Sequence, residues 1–263
     1  MSAIILKNDI VHYEVLGRGR PVVFLHGWVG SWRYWITAMQ AAAIQYRAYA
    51  LDLWGFGDTA KRSEYYSLDE QMELLDAFLD KLGVGRVALV GHGLGAVVAL
   101  KYAAQHTGYV NRAMGIGLPV GDVSVSQRLR NDSPSNLADW LLSNDPVSEA
   151  VRVEAPKTDP LAVRTSLDEL DPVTMLDLAR ELSTPCLLVH GQRDPAVTLN
   201  NAALAPYELP ENTHQILFEA SGHFPMLDEP SKFNRLMNDF LGLASGESPR
   251  QLQLKEEWKR RVR

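Results

Sequence analysis

The ten residues Val87-Ala88-Leu89-Val90-Gly91-His92-Gly93-Leu94-Gly95-Ala96 join an apolar run to a helix-forming stretch through three glycines. Two chemistries use such a turn. Gly91, Gly93 and Ala96 satisfy G-x-G-x-x-[GA], whose glycines let a pyrophosphate approach a helix N-terminus. That motif needs an acidic residue about 20 positions on to hold a ribose hydroxyl, and Val97 to Gly121 contains none. It also normally opens the first βα unit, whereas several strand-like runs precede it here. The other chemistry belongs to G-x-S-x-G, in which Gly91 and Gly95 let strand and helix meet at a sharp turn and the middle residue presents a nucleophile. In this chain the middle residue is Gly93, which has no side-chain atom to attack a carbonyl. An acid and a base follow in the order that motif requires: Asp194 in Gly191-Gln192-Arg193-Asp194, then His223 in Ser221-Gly222-His223-Phe224-Pro225.

Together with His26-Gly27-Trp28 and Asp52-Leu53-Trp54-Gly55-Phe56-Gly57, these turns resemble the α/β-hydrolase family from Leu6 to about Leu243. The resemblance implies that Asp194 orients His223 and that the backbone N–H groups of Trp28 and Leu94 form an oxyanion hole. It also implies that His26 braces the oxyanion turn and Asp52 organises its own loop. His26, Trp54, Trp140 and Phe224 are the candidate substrate-binding residues, with core packing the competing role for Trp54. Leu141 and Leu142 join Trp140 as candidates to line the pocket. The departure is Gly93, which removes both serine and aspartate nucleophiles. His92 is no substitute, because the residue before the nucleophile points elsewhere on so sharp a turn.

Around these turns helix and strand alternate. Strand-like runs cover Ala3–Lys7, Asp9–Leu16, Pro21–His26, Arg47–Leu51, Val87–Val90, Val110–Gly117, Thr184–His190 and Gln215–Glu219. Helical patterns cover Ser31–Ala43, Leu68–Leu82 behind the capping box Ser67-Leu68-Asp69-Glu70, Leu94–Gln105 and Glu229–Leu243. Short, uniformly apolar strands mean a mostly parallel sheet covered on both faces. The expected fold is therefore α/β, and the family resemblance implies an α/β-hydrolase fold with a mostly parallel eight-stranded sheet, helices on both faces and a lid insertion after the sixth strand. Residues 1–118 and 172–245 form the core in this reading. Residues 119–171, polar and rich in Ser, Asp and Pro with short helical patterns such as Asn136–Ser143, form the lid or cap. Residues 246–263 form a basic tail, a solvated helix or frayed end, with six basic and two acidic residues from Arg250 onward.

Composition bounds the partners. A chain of 263 residues, 46% hydrophobic and 22% charged, can bury a core without disulfide or metal. A net charge of −6 argues against nucleic acid and leaves a small, largely apolar substrate or ligand as the default. The single cysteine, Cys186, lies in an apolar run and cannot form an intrachain disulfide, which fits the cytoplasm. The longest apolar stretch, Val87 to Leu100, is too short and too interrupted to cross a bilayer. No cofactor or metal is expected, since no His/Asp/Glu spacing stands out.

Three functional readings remain open at this stage. The chain is a carboxylic-ester or carbon–carbon bond hydrolase scaffold that lacks its serine nucleophile; or His223 and Asp194 run non-covalent chemistry of lyase or cofactor-free oxygenase type; or the pocket only binds a small molecule.

Overall fold

The computed structural model describes residues 2–121, 123–199 and 209–254. Where the sequence is continuously apolar, the strand lies in the middle of the sheet. β3 (Arg20–Leu25), β5 (Val87–His92), β6 (Val110–Ile116) and β8 (Cys186–Gly191) are almost wholly buried. β1 (Ser2–Leu6) and β2 (Asp9–Gly17) show mixed burial and stand at one edge, with β4 (Tyr46–Leu51) inside them and β10 (Thr213–Phe218) at the other edge. The eight-stranded order is β1-β2-β4-β3-β5-β6-β8-β10. Only the β1/β2 and β2/β4 pairs are antiparallel, so every strand from β4 across to β10 feeds its following loop to one end of the sheet. The α/β-hydrolase architecture read from the sequence is thus present. Two further short strands, β7 (Val123–Val125) and β9 (Val197–Leu199), pair antiparallel by themselves. Three-residue runs give no usable periodicity, and the sequence did not announce them.

Helices α1 (Ile36–Ala42), α2 (Leu68–Lys81) and α3 (Leu94–Gln105) match the sequence reading closely. The helix expected from Ser31 begins instead as a 3₁₀ turn, Trp32–Trp35, because the Ser31 hydroxyl accepts the Arg33 N–H and tightens the entry. Ser67 caps α2 by accepting the Glu70 N–H, and the helix buries Leu68, Met72, Leu75, Phe78 and Leu79. Each such aliphatic or aromatic side chain contributes about 1.5–3 kcal/mol on full burial, so a charge at Leu75 or Phe78 would detach the helix.

The region between β6 and β8 is far more helical than its composition suggests. It holds α4 (Arg128–Asn131), α5 (Pro134–Leu141), α6 (Pro146–Glu154), α7 (Pro160–Asp168) and α8 (Pro172–Glu181). Four of these five start the same way. Ser133, Asp145, Asp159 and Asp171 each accept a backbone N–H from the first turn, and each is followed by proline at the first helical position. Proline gives up no hydrogen bond there and presets φ, so Ser/Asp-Pro is a start signal rather than a loop signal. α6 packs on the Trp32–Trp35 turn and α8 on α3. After these come α9 (Pro225–Asp228) and α10 (Pro230–Gly242), which lies against α1. In the expected tail, Pro249–Gln251 form a 3₁₀ turn, Leu252 is buried, and Arg250 donates to the carbonyls of Leu209 and Pro210. The rest of that tail, 255–263, lies outside the described residues. No helix among the described residues is long and apolar enough to cross a membrane.

Candidate active site

At the carboxyl end of β5 the chain reverses into α3 at Gly93, whose φ of +49° and ψ of −113° suit glycine and strain any other residue. The flanking glycines are a matter of space. A Cβ on Gly91 would collide with the Gly95 carbonyl, and one on Gly95 with the carbonyls of Leu25 and His26. A Cβ at Gly93 would lie 2.9 and 3.0 Å from Cε3 and Cζ3 of the Trp28 indole. That indole is buried, donates from Nε1 to Ser166 Oγ on α7 at 3.1 Å, and stacks near-parallel to His223 with ring centroids 6.5 Å apart. Ser166 Oγ in turn donates to the Val163 carbonyl at 2.9 Å, so the anchor is itself fixed.

His223 and Asp194, from loops after β10 and β8, meet as the sequence order implied. His223 Nδ1 donates to Asp194 Oδ2 at 2.8 Å, and both side chains are buried. Asp194 Oδ1 accepts the N–H groups of Ala196 and Val197 at 2.7 and 3.0 Å, which fixes the carboxylate and leaves Oδ2 for the imidazole. With Nδ1 carrying its proton toward Asp194, Nε2 is the basic nitrogen of a neutral His223. Among the described residues, neither the Trp28 nor the Leu94 backbone N–H donates to another protein group. Both remain open donors beside position 93.

His92 is occupied elsewhere. Its Nε2 lies 2.8 Å from the His223 carbonyl, which can only accept, so Nε2 carries the hydrogen. Nδ1 then accepts from the Tyr34 hydroxyl at 2.9 Å, and the Tyr34 oxygen accepts the Gly27 N–H at 2.6 Å. Complete burial, with the neighbouring His223, holds the His92 pKa well below its ordinary value. The chain Gly27–Tyr34–His92–His223 thus ties the turn after β3 to the loop after β10. Tyr34 and Ser166 were not singled out from the sequence, because no motif accompanies either one.

The remaining candidates separate into braces and lining. Buried His26 accepts the Leu53 N–H at Nε2 and donates from Nδ1 to the Gly27 carbonyl, so both nitrogens are committed and burial lowers its pKa. Trp54 is fully buried, with its backbone N–H and C=O both bonded to the Gln71 amide. Phe224 is buried among Tyr34, His92 and His223. Neither His26 nor Phe224 presents a free polar atom to a ligand. Trp140 differs: half-buried beneath the Arg128 guanidinium, 4.3 Å from its ring, it lines a depression of about 500 Å³ with Leu141, Leu142, Arg193, Pro195 and Gly222. That depression abuts the turns bearing Asp194 and His223. His190 donates from Nε2 to the Leu118 carbonyl, and burial pushes the Cys186 thiol up to about 12, which leaves it no thiolate near neutrality.

Asp52 occupies a separate network. It accepts from the Trp32 and Asp58 N–H groups and from His12 Nδ1, at 2.8, 3.1 and 2.9 Å. His12, Asp52 and Asp58 bring ligand-type atoms within 4.8 Å of one another. The Asp52 oxygens are already satisfied by N–H donors, and Asp58 pairs with Lys157 at 2.9 Å, so the cluster reads as a loop brace.

An open α/β sheet with a glycine elbow, a buried Asp–His pair and two open amides at its carboxyl end defines an α/β-hydrolase. The comparison with protein families agrees: the alpha/beta hydrolase family model matches residues 22–236, and the chain belongs to that family. Among curated relatives, it is 26% identical over 257 residues to the pimeloyl-(acyl-carrier protein) methyl ester esterase of Aeromonas hydrophila, covering 88% of this chain and 99% of that protein. The enzyme of the same name from Vibrio vulnificus is 24% identical over 261 residues, covering 90% and 100%. Among solved structures, the enol-lactonase from Burkholderia xenovorans superposes with a TM-score of 0.79 at 17% identity, covering 92% of this chain and 100% of that one. The esterase from Exiguobacterium antarcticum gives 0.77 at 20%, covering 91% and 98%. The relatives are thus esterase-type hydrolases, and the solved structures share the fold.

Proposed function

We propose that this chain is an esterase-type site for a small, largely apolar carbonyl substrate from which the covalent step is missing. The observation that carries this reading is the Asp194–His223 pair, fully formed at 2.8 Å beside a position 93 that has no side chain. In the complete chemistry, a serine Oγ at this position would lose its proton to His223 Nε2 and attack the ester carbon, while the Trp28 and Leu94 amides received the oxyanion. Gly93 supplies no Oγ, so no acyl-enzyme forms. What is left is a general base, its orienting carboxylate and two amides, a set that elsewhere retains about 10³–10⁴-fold over water when the nucleophile is removed. Residues 119–171 act as the cap in this reading, with Trp140, Leu141 and Leu142 at the substrate's entry. The lone buried Cys186 suits a reducing, cytoplasmic setting.

A side chain at 93 would also press on the Trp28 ring, 2.9 Å from an ideal Cβ, so the ring must shift to admit it. The test is intact-protein mass after treatment with a fluorophosphonate, which labels an activated serine. We expect no labelling of the chain as it stands, little of Gly93→Ser, and full labelling of Gly93→Ser/Trp28→Leu, whose backbone amide at 28 is unchanged. Failure of the folded double variant to label would remove the esterase reading.

A second reading is favoured by the same intact pair: retention of a neutral, oriented imidazole without a nucleophile suits a general base acting on water or on a substrate proton. It requires turnover by the unaltered chain and its abolition by His223→Ala. A turnover that survives this substitution rules it out.

A further inference from the structure

A second cavity, of about 690 Å³, opens at the amino-terminal ends of β3, β5 and β6, the end of the sheet away from Gly93 and His223. Its volume falls in the range of small-molecule sites, about 300–1,000 Å³. Three arginines are among its lining residues, Arg20, Arg86 and Arg112. Arg112 is buried on β6, lies 6.0 Å from the Phe240 ring centre and donates from Nη2 to the Leu243 carbonyl. Arg20 stacks over the Tyr46 ring at 5.4 Å and reaches its hydroxyl at 3.4 Å. Arg86 is exposed at the rim. None of the three has a carboxylate at ion-pair distance among the described residues, although 13 such contacts link other lysines and arginines to carboxylates. Glu247, whose charge acts on Arg112, instead accepts the Ala244 N–H.

This arrangement is costly without a counter-charge. Arg20 and Arg112 repel each other, and burial already disfavours the Arg112 cation. In a protein of net charge −6, surface carboxylates are plentiful, yet the one whose charge reaches Arg112, Glu247, is not at ion-pair distance from it. Guanidinium forks match the oxygens of a phosphoryl group in two parallel hydrogen bonds, and three of them suit a dianion. We propose that this cavity binds a phosphate-bearing anion. The site is independent of the elbow and of any reading of the reaction there.

The experiment is isothermal titration calorimetry of the full chain with inorganic phosphate and, separately, with AMP, in a low-chloride buffer. Saturable one-to-one binding is expected. Loss of two charge-assisted contacts in Arg20→Ala/Arg86→Ala, both exposed and outside the core, should weaken it about tenfold or more. Arg164→Ala, on the distant helix α7, should leave the affinity unaltered. Similar affinities for the two anions would make free phosphate the ligand, and clearly tighter AMP would put the phosphate on a larger molecule. Absence of saturable heat with both anions, or equal affinity in the double variant, overturns the proposal.

Discussion

Among the described residues two buried histidine–aspartate hydrogen bonds occur, and by their geometry alone they are twins. His223 meets Asp194 at 2.8 Å and His12 meets Asp52 at 2.9 Å, each from Nδ1 to Oδ2. The difference lies in what surrounds them. Asp52 is spent on backbone, taking the N–H of Asp58 in its own loop and that of Trp32 in another segment, so it fixes the loop that follows β4 against the turn that follows β3. Asp194 draws its N–H donors from its own turn, at Ala196 and Val197, and holds one remote partner, the imidazole. Only the Asp194–His223 pair lies in the region where the proposed chemistry would occur, beside the Gly93 turn and the Trp28 ring.

The sharpest way to break this comparison is to remove each carboxylate or imidazole in turn. Asp52→Ala leaves one buried donor, His12 Nδ1, and two part-buried backbone N–H groups without their acceptor, and we expect a loss of about 2–4 kcal/mol in urea-induced unfolding. A loss below about 1 kcal/mol would show that the brace is dispensable. In the Gly93→Ser/Trp28→Leu chain, His223→Ala should slow fluorophosphonate labelling by about 10³-fold or more, as removal of a triad base does. His12→Gln in the same background should alter it by less than about threefold, since distant sites act independently. Equal effects of the two would erase the distinction drawn here.

Acid provides a gentler probe. Burial depresses the pKa of His26, His92 and His190, so below about pH 6.5 the unfolded chain takes up protons that the folded chain refuses. Their contribution to stability is present above that pH and is lost on acidification, at up to about 1.4 kcal/mol per pH unit for each residue. His12 runs the other way: burial opposes its charge, but the Asp52 hydrogen bond and charge outweigh it and raise its pKa. Its contribution is fully present below about pH 6.5 and fades as the pH rises through the folded value. The urea midpoint should therefore fall between pH 7.5 and 5, and fall more steeply in His12→Gln. A flat profile would contradict the neutral tautomers assigned to His26 and His92.

Much of the scaffold was legible in the sequence because its signals are local. Val87–Val90 and Cys186–Val189 are apolar without alternation, which only a strand covered on both faces requires, and the Gly91/Gly95 pair announces a turn tighter than a Cβ allows. The helices between β6 and β8 were under-read for a physical reason. Each is at most ten residues long, too short for a clear period, and their Ser-Pro and Asp-Pro starts resemble loop composition. His26 and Phe224, named from the sequence as substrate contacts, turned out to be committed to the protein itself, one by two hydrogen bonds and the other by ring packing.

Residue type alone says that position 93 carries no side chain, whatever the fold around it. The sequence by itself also determined that Asp194 precedes His223 in the order the family's acid and base take. Tertiary structure alone decided what stands in the empty place. The Trp28 indole reaches Gly93 because Ser166, 138 residues away, holds its Nε1, and Tyr34 orders His92 across 58 residues. The three arginines of the opposite cavity come from strands or strand entries far apart in the chain. Contacts of this kind join residues whose separation carries no period or motif, and they exist only once the sheet and its helices have closed around them.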